Sequence, residues 1–224
     1  LADLSFHHFF VFVPPGAKQV DRLVQAGFLE ASRNTHAGQG TANRRIFFDN
    51  GMLEFIWASD LTELRTPLTA PTRLLERSQS RTSGFSPFGI CVTSATPKPF
   101  AGWDYRPRYL PAELRLWQAA NEGQPWEPQI FELGGESLAR LEGARTEPRK
   151  HPNGAHRIAR ITVTVAAPDT APVSEAARAI AALPMLAWVS GKDPHATIEI
   201  ETNGHAAVID LTPACPVRVV LARS

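Results

Sequence analysis

The sequence predicts an α+β protein in which one β-α-β-β-β order of elements occurs twice. Two observations carry that prediction. Each pass begins with an apolar, β-prone run stopped at a proline-containing turn and followed by helical spacing of apolar residues. Each pass then reaches an Asn-Gly pair between two further strand-like runs, about 43 positions after its first strand, as a duplicated unit would leave it.

In the first pass, Phe6 to Val13 is a strand ended by Pro14-Pro15-Gly16. Gly16 to Ala26 sets Ala17, Val20, Leu23 and Val24 on one helical face, with Gly27 in the place of a C-cap glycine. A short strand is expected at Phe28 to Ser32, then a polar loop from Asn34 to Ala42. Arg45 to Phe48 and Met52 to Trp57 flank Asp49-Asn50-Gly51 as a hairpin. Thr72 to Arg81 is expected to be helical, with Leu74 and Leu75 buried, and Phe88 to Thr93 is a trailing strand. The second pass runs through Ile158 to Val165, a helix N-capped by Ser174, Leu186 to Val189, and Thr197 to Glu201. It closes with Ala206 to Leu211 across Asn203-Gly204, and Val217 to Ala222 trails. This divides the chain into a first module at 1–96, an insert at 97–150 and a second module at 151–224.

Composition narrows the class without choosing an activity. The chain has 224 residues, 43% hydrophobic and 20% charged, with a net charge of +1, which suits a globular core and gives no electrostatic footprint for nucleic acid. No apolar run approaches the ~18 residues of a membrane span, and Leu1 to Phe12 lacks the pattern of a secretory leader. With only Cys91 and Cys215, a reduced, cytoplasmic setting without membrane or nucleic-acid partners is expected. Six of the 19 prolines, three tryptophans (Trp103, Trp117, Trp126) and both tyrosines (Tyr105, Tyr109) fall between Pro97 and Phe131. Such a segment is stiff and has apolar surface to dock with. Two roles are open to it: a wall across a cavity mouth, or a brace between modules or at a dimer interface.

Side chains alternate across a strand, so His8, Phe10 and Phe12 share one face and Phe9, Val11 and Val13 the other. On the fourth strand Glu54 shares a face with Met52 and Ile56, an uncomfortable place for a carboxylate without a cation, a metal or water. Imidazole and carboxylate are common ligands of Zn, Fe, Mn and Ni, which makes His8 and Glu54 the candidate metal pair. The plainer alternatives are a hydrogen-bonded strand histidine and a solvent-facing glutamate.

The ordered combination of motifs resembles the vicinal oxygen chelate superfamily, and within it the glyoxalase-like domain proteins. It consists of a histidine opening an aromatic strand that ends in Val-Pro, a helix ending in Gly-Phe, Gly-Thr-Ala-Asn-Arg-Arg before a strand, and Met-Leu-Glu-Phe-Ile-Trp. His-Pro-Asn-Gly-Ala at 151–155 is similar to the same group. The resemblance implies two modules curling one cupped mixed sheet around a shared cavity, helices outside, with metal ligands from first and fourth strands. His8 and Glu54 fall on the first module's ligand positions. The second module's counterparts would be Arg160 and Ala207, neither a ligand, so the pattern is half present. His205, which has the parity of Ala207, is the candidate substitute that would complete a triad, unless it sits in the Asn-Gly turn. Arg160 shares a face with Thr162 and Thr164; an inward arginine would hold a substrate carboxylate, or else pair with Glu54 and cancel the metal site. Phe10, Phe12, Asn43, Arg44, Trp103 and Tyr105 are the candidate substrate contacts.

Weaker features have plain readings. Gly38-Gln39-Gly40-Thr41 lacks the lysine of a phosphate loop and reads as a turn; His36 in the same loop reads as a solvated residue, the alternative being one that reaches a cavity mouth. His7 alternates away from His8, Cys91 reads as an inert buried thiol, and the basic stretch from Arg145 to Arg160 as a solvated linker. The leading expectation is a divalent-metal enzyme of lyase, isomerase or dioxygenase type, with Glu54 and Arg160 catalytic, acting on a small oxygenated molecule. The competing one is a metal-free binding protein of the same fold. The resemblance allows a homodimer.

Overall fold

The computed structural model describes residues 3–135, 138, 146–167 and 173–223. The fold is α+β, with two mixed sheets and short helices. The larger sheet is a curled half-barrel of eight strands. Its first four are β1 (Leu4–Phe12), β2 (Asn34–His36), β3 (Thr41–Phe48) and β4 (Gly51–Ala58). The other four are β5 (Phe88–Ser94), β6 (Gly102–Tyr105), β7 (Leu114–Ala119) and β8 (Gln129–Gly135). The order is β2-β3-β4-β1-β5-β8-β7-β6.

That order contains one pairing scheme twice. β1 pairs with β4 in parallel, β4 with β3 and β3 with β2 antiparallel; β5, β8, β7 and β6 repeat it, and β1 joins β5 antiparallel. The partner of the first four-strand unit is therefore built from the trailing strand and from the segment expected to be an insert. The boundary expected at 97 falls inside this sheet, between β5 and β6, whereas the one expected at 151 falls between its last strand and the first strand of the small sheet, which starts at Ala155. The prolines and aromatics misled because β6 to β8 are short and are joined by proline-rich turns, which break the hydrophobic period that marks a strand.

Residues 155–223 form a separate five-stranded sheet: β9 (Ala155–Val165), β10 (Leu186–Ser190), β11 (His195–Thr202), β12 (Ala207–Asp210) and β13 (Val217–Arg223). Its order, β10-β9-β11-β13-β12, differs from that of the first unit although the element order along the chain is similar. Asn203-Gly204 closes no hairpin, because β13 lies between β11 and β12. That turn is instead gripped by the preceding loop: Asn203 N–H donates to Gly154 O and Thr202 Oγ1 to Asn153 O.

The two sheets share one apolar core on the side opposite the cavity. Phe9, Val11 and Phe55 of the large sheet cluster there with Ile161, Val163 and Ile198 of the small one. Helix α1 (Val20–Gln25) adds Val20 and Leu23; the helix at Glu175–Ile180, N-capped by Ser174, adds Ala176, Ala177 and Ile180. Asn50 is the polar clamp between sheets: its amide donates to Ile158 O and accepts from Ile158 N–H, at 2.8 and 2.9 Å. The expected strand at Phe28–Ser32 is absent as a strand. Phe28 turns into the core beside Phe48 and His151, and the pairing with β3 passes to Asn34–His36. Gly38 and Gly40, both at φ +81°, make that β2–β3 turn without steric cost. The helix expected at 72–81 is split into a 3-10 turn at Ala70–Thr72 and short helices at Leu74–Ser78 and Ser80–Ser83, with Leu74 buried and Leu75 half-buried. Among the described residues no helix is long and apolar enough to cross a membrane.

Candidate active site

The concave face of the large sheet encloses a cavity of about 140 Å³. Its polar end comes from the first four-strand unit, where strand parity brings His8 of β1, His36 of β2, Asn43 and Arg45 of β3, and Glu54 of β4 to one side. Its opposite wall comes from β7 and β8, through Leu116, Gln118, Gln129, Phe131 and Leu133, and from Tyr109 in the loop before β7.

Glu54 is the hub. Its Oε2 lies 3.5 Å from His8 Nε2, and its Oε1 lies 3.8 Å from His36 Nε2 and accepts a hydrogen bond from Asn43 Nδ2. Burial pushes the Glu54 carboxyl above its usual range, partly offset by the Asn43 hydrogen bond and the Arg45 charge. His36 is enclosed as well. Burial, reinforced by Arg45, holds its imidazole down at about 4, so the ring is neutral at physiological pH. Its Nδ1 sits 2.8 Å from Thr41 Oγ1, its Nε2 3.3 Å from Asn43 Nδ2, and its face stacks on Tyr109 with centroids 4.4 Å apart. Asn43 Nδ2 thus spans His36 and Glu54, an orienting contact for both. Burial, with the Glu54 charge behind it, raises the Tyr109 phenol well above its usual value.

His8 and Glu54 meet because their strands are adjacent and in register: His8 is level with Met52, and Phe10 with Glu54. Their facing atoms are separated by about the span of two neighbouring ligands on one ion, roughly 3 to 3.5 Å for metal–ligand bonds near 2.0–2.2 Å. A neutral imidazole and a carboxylate are the right chemistry for Zn, Fe, Mn or Ni. These two residues fit the metal that the fold family implies.

The other expected site residues scatter. His205 is exposed in the turn before β12 on the small sheet and is not among the residues lining the cavity, so it supplies no third donor there. Arg160 lies exposed on β9 of the same sheet, which removes both the carboxylate clamp and the pairing with Glu54. The cation that faces Glu54 is Arg45, its direct partner across β3 and β4. Arg44, one residue earlier, points to the other face and is held by Glu30, Asp21 and Ala17 O. Asn43 and Phe10 line the cavity; Phe12 belongs to the same apolar cluster without lining it. Tyr105 also lies beneath the wall, where its hydroxyl donates to Gln39 Oε1 at 3.0 Å, and Trp103 packs beside it.

Sequence reading missed His36, Arg45, Tyr109, Gln118 and Gln129. The alternation Asn34-x-His36 and Asn43-x-Arg45 about a Gly-x-Gly turn was a usable sign of a β2–β3 hairpin with one polar face. Tyr109 and the two glutamines carried no such sign. His7 is the sharpest departure. A β-bulge between Phe6 and His8 interrupts the pairing of β1 with β5, so the two histidines do not alternate. Their Nδ1 atoms lie 2.6 Å apart, and His7 lines the cavity too.

A model of the glyoxalase-like domain family matches residues 6–180. No curated protein matches the chain. Among solved structures, the chain is similar to a hypothetical protein from Staphylococcus aureus, at 10% identity and a TM-score of 0.61, covering 98% of this chain and 99% of that one. At that identity the likeness speaks for the fold. The family match spans most of the chain, and it includes the strands that carry His8, His36 and Glu54. The chain belongs to the glyoxalase-like domain proteins of the vicinal oxygen chelate superfamily.

Proposed function

We propose that this protein is a metal-dependent glyoxalase-like enzyme that acts on a small oxygenated molecule in the half-barrel cavity. The observation that carries the proposal is the pair of His8 Nε2 and Glu54 Oε2, facing each other at 3.5 Å inside that cavity. A divalent ion on this pair would supply Lewis-acid polarisation of a substrate oxygen. The chain's own groups do the rest. Asn43 and His36 hold Glu54 in place, and Arg45 offsets its buried charge. Gln118 and Gln129, joined by a 2.7 Å amide hydrogen bond, offer hydrogen bonds to the far end of a bound molecule. Phe10, Phe131 and Leu133 exclude water around it, which strengthens each polar contact. The volume of about 140 Å³ suits a substrate of only a few heavy atoms, well under the several hundred Å³ of drug-sized sites.

A second reading, metal-free binding of a small molecule, is favoured by the wall from β7 and β8. It lines the cavity with glutamines and apolar residues, where two further ligands would be needed for a four-ligand site. Metal analysis separates the two. Protein purified without chelator, and again after reconstitution with Mn, Fe, Ni and Zn, is compared with His8→Ala and Glu54→Ala. Stoichiometric metal lost in both variants supports the enzyme. A wild type that takes up none of the four ions supports the binding protein.

A further inference from the structure

We propose a second metal site, containing a thiol, formed by His7, His8 and Cys91 on the edge of the His8 ring that faces away from Glu54. The β-bulge at His7 is what assembles it. An unbroken strand would send His7 to the opposite face; the bulge leaves both imidazoles on one side, and Cys91 of β5 is the direct cross-strand partner of His8. One nitrogen from each histidine and the Cys91 sulfur all lie within 4.8 Å of one another. Ligands on a tetrahedral ion, with metal–nitrogen bonds near 2.0 Å and metal–sulfur near 2.3 Å, stand about 3.3 to 3.6 Å apart. Shifts of about 1 Å in three side chains therefore bring the three donors to that spacing, with the fourth tetrahedral position open.

The donor set identifies the class of ion. Two imidazoles and a thiolate select zinc or copper over magnesium, calcium or manganese. The surroundings are those of a ligating histidine: with Nδ1 of His8 on the ion, its Nε2–H is directed at Glu54 Oε2, 3.5 Å away, which is the usual carboxylate behind a metal-bound imidazole. There is a route in. His7 is only part-buried and also lines a separate cavity of about 240 Å³ beside Phe6, Asp49 and Arg149. The proton balance is simple. The thiol proton of Cys91 is released to solvent, and the proton shared by the two Nδ1 atoms moves to an Nε2, so one proton leaves per ion bound.

This site uses the opposite nitrogen of His8 from the pair in the proposed function and keeps on Nε2 the proton which that pair would give up, so one ion occupies His8 at a time and the two readings fail separately. Cobalt(II) is the probe, added to the full chain and followed by the thiolate-to-cobalt charge-transfer absorption. The wild type is expected to develop that band to saturation at one cobalt per chain, and zinc to abolish it by displacement. Cys91→Ser loses the band, and His7→Gln weakens cobalt binding at least tenfold. Cys215→Ser keeps it unchanged, since Cys215 is buried in the small sheet's core. Glu54→Gln keeps the band with affinity lowered about tenfold, as expected for a group behind a ligand. That variant would abolish metal uptake by the His8–Glu54 pair. No band in the wild type, or an undiminished band in Cys91→Ser, overturns the site. Should Cys91→Ser fail to fold by circular dichroism, full-affinity binding by His7→Gln overturns it instead.

Discussion

His36 should make the stability of this protein fall on the acid side, by an amount the structure sets. In the unfolded chain its ring protonates near 6.5, but in the folded protein burial and the Arg45 charge hold it neutral down to about 4. Between those values the unfolded state takes up a proton that the folded state refuses. The contribution is complete above pH 6.5 and is lost as the pH falls towards 4. Each unit is worth about 1.4 kcal/mol, so the full window is worth about 3 kcal/mol. Glu54 works in the opposite sense: its raised carboxyl value makes the folded state the better proton acceptor, and stability is lost as the pH rises above 4.5. His36→Gln removes the first slope and leaves the second. Urea unfolding, followed by tryptophan fluorescence in the presence of chelator at intervals from pH 4.5 to 7.5, gives both curves. The variant's profile should be shallower than the wild type's by about 2 to 3 kcal/mol across the window. Profiles that run parallel to within about 0.5 kcal/mol, or a His36 ring proton that titrates by NMR near 6.5, would refute the reasoning.

Two further substitutions test what the tertiary structure assigned. Arg44→Met removes a buried guanidinium that reaches Glu30, Asp21 and the carbonyl of Ala17. It should cost about 3 kcal/mol and lower the melting temperature by about 6–12 °C, while metal uptake per folded chain is unchanged. Loss of metal with no change in melting temperature would return Arg44 to the cavity. Gly89→Ala places a methyl 2.0 Å from the Phe10 ring, which is already packed against Phe12 and Phe131. Overpacking of about 1–3 kcal/mol is expected in a thermal melt, and a neutral result would mean that the cavity wall yields.

Much of the first unit was legible in the sequence. The period-2 alternation around His8 and Glu54 placed both on one face, and the Asp-Asn-Gly turn set the β3–β4 register that keeps them there. The same logic failed at His7, because a bulge shifts parity by one residue and nothing local announces it. It failed for Cys91 for a related reason. Its position in an apolar strand was correct, but the strand it faces was a matter of pairing. It failed again at Arg44 and Arg45, where a single step along β3 decides which arginine sees Glu54 and which is locked by Glu30.

The wider division follows the same line. By itself the sequence determined the α+β class, the aromatic first strand, the hairpin turn and the His8–Glu54 pair, because these depend on periodicity and turn chemistry over a few residues. Only the tertiary structure decided which strands become neighbours. It took β5 to β8 as the first unit's partner, sent Arg160 and His205 to a second sheet, and brought His7 and Cys91 together across β1 and β5. Pairing between distant strands is settled by which apolar faces bury each other best. That is a property of the whole chain, and no local window contains it.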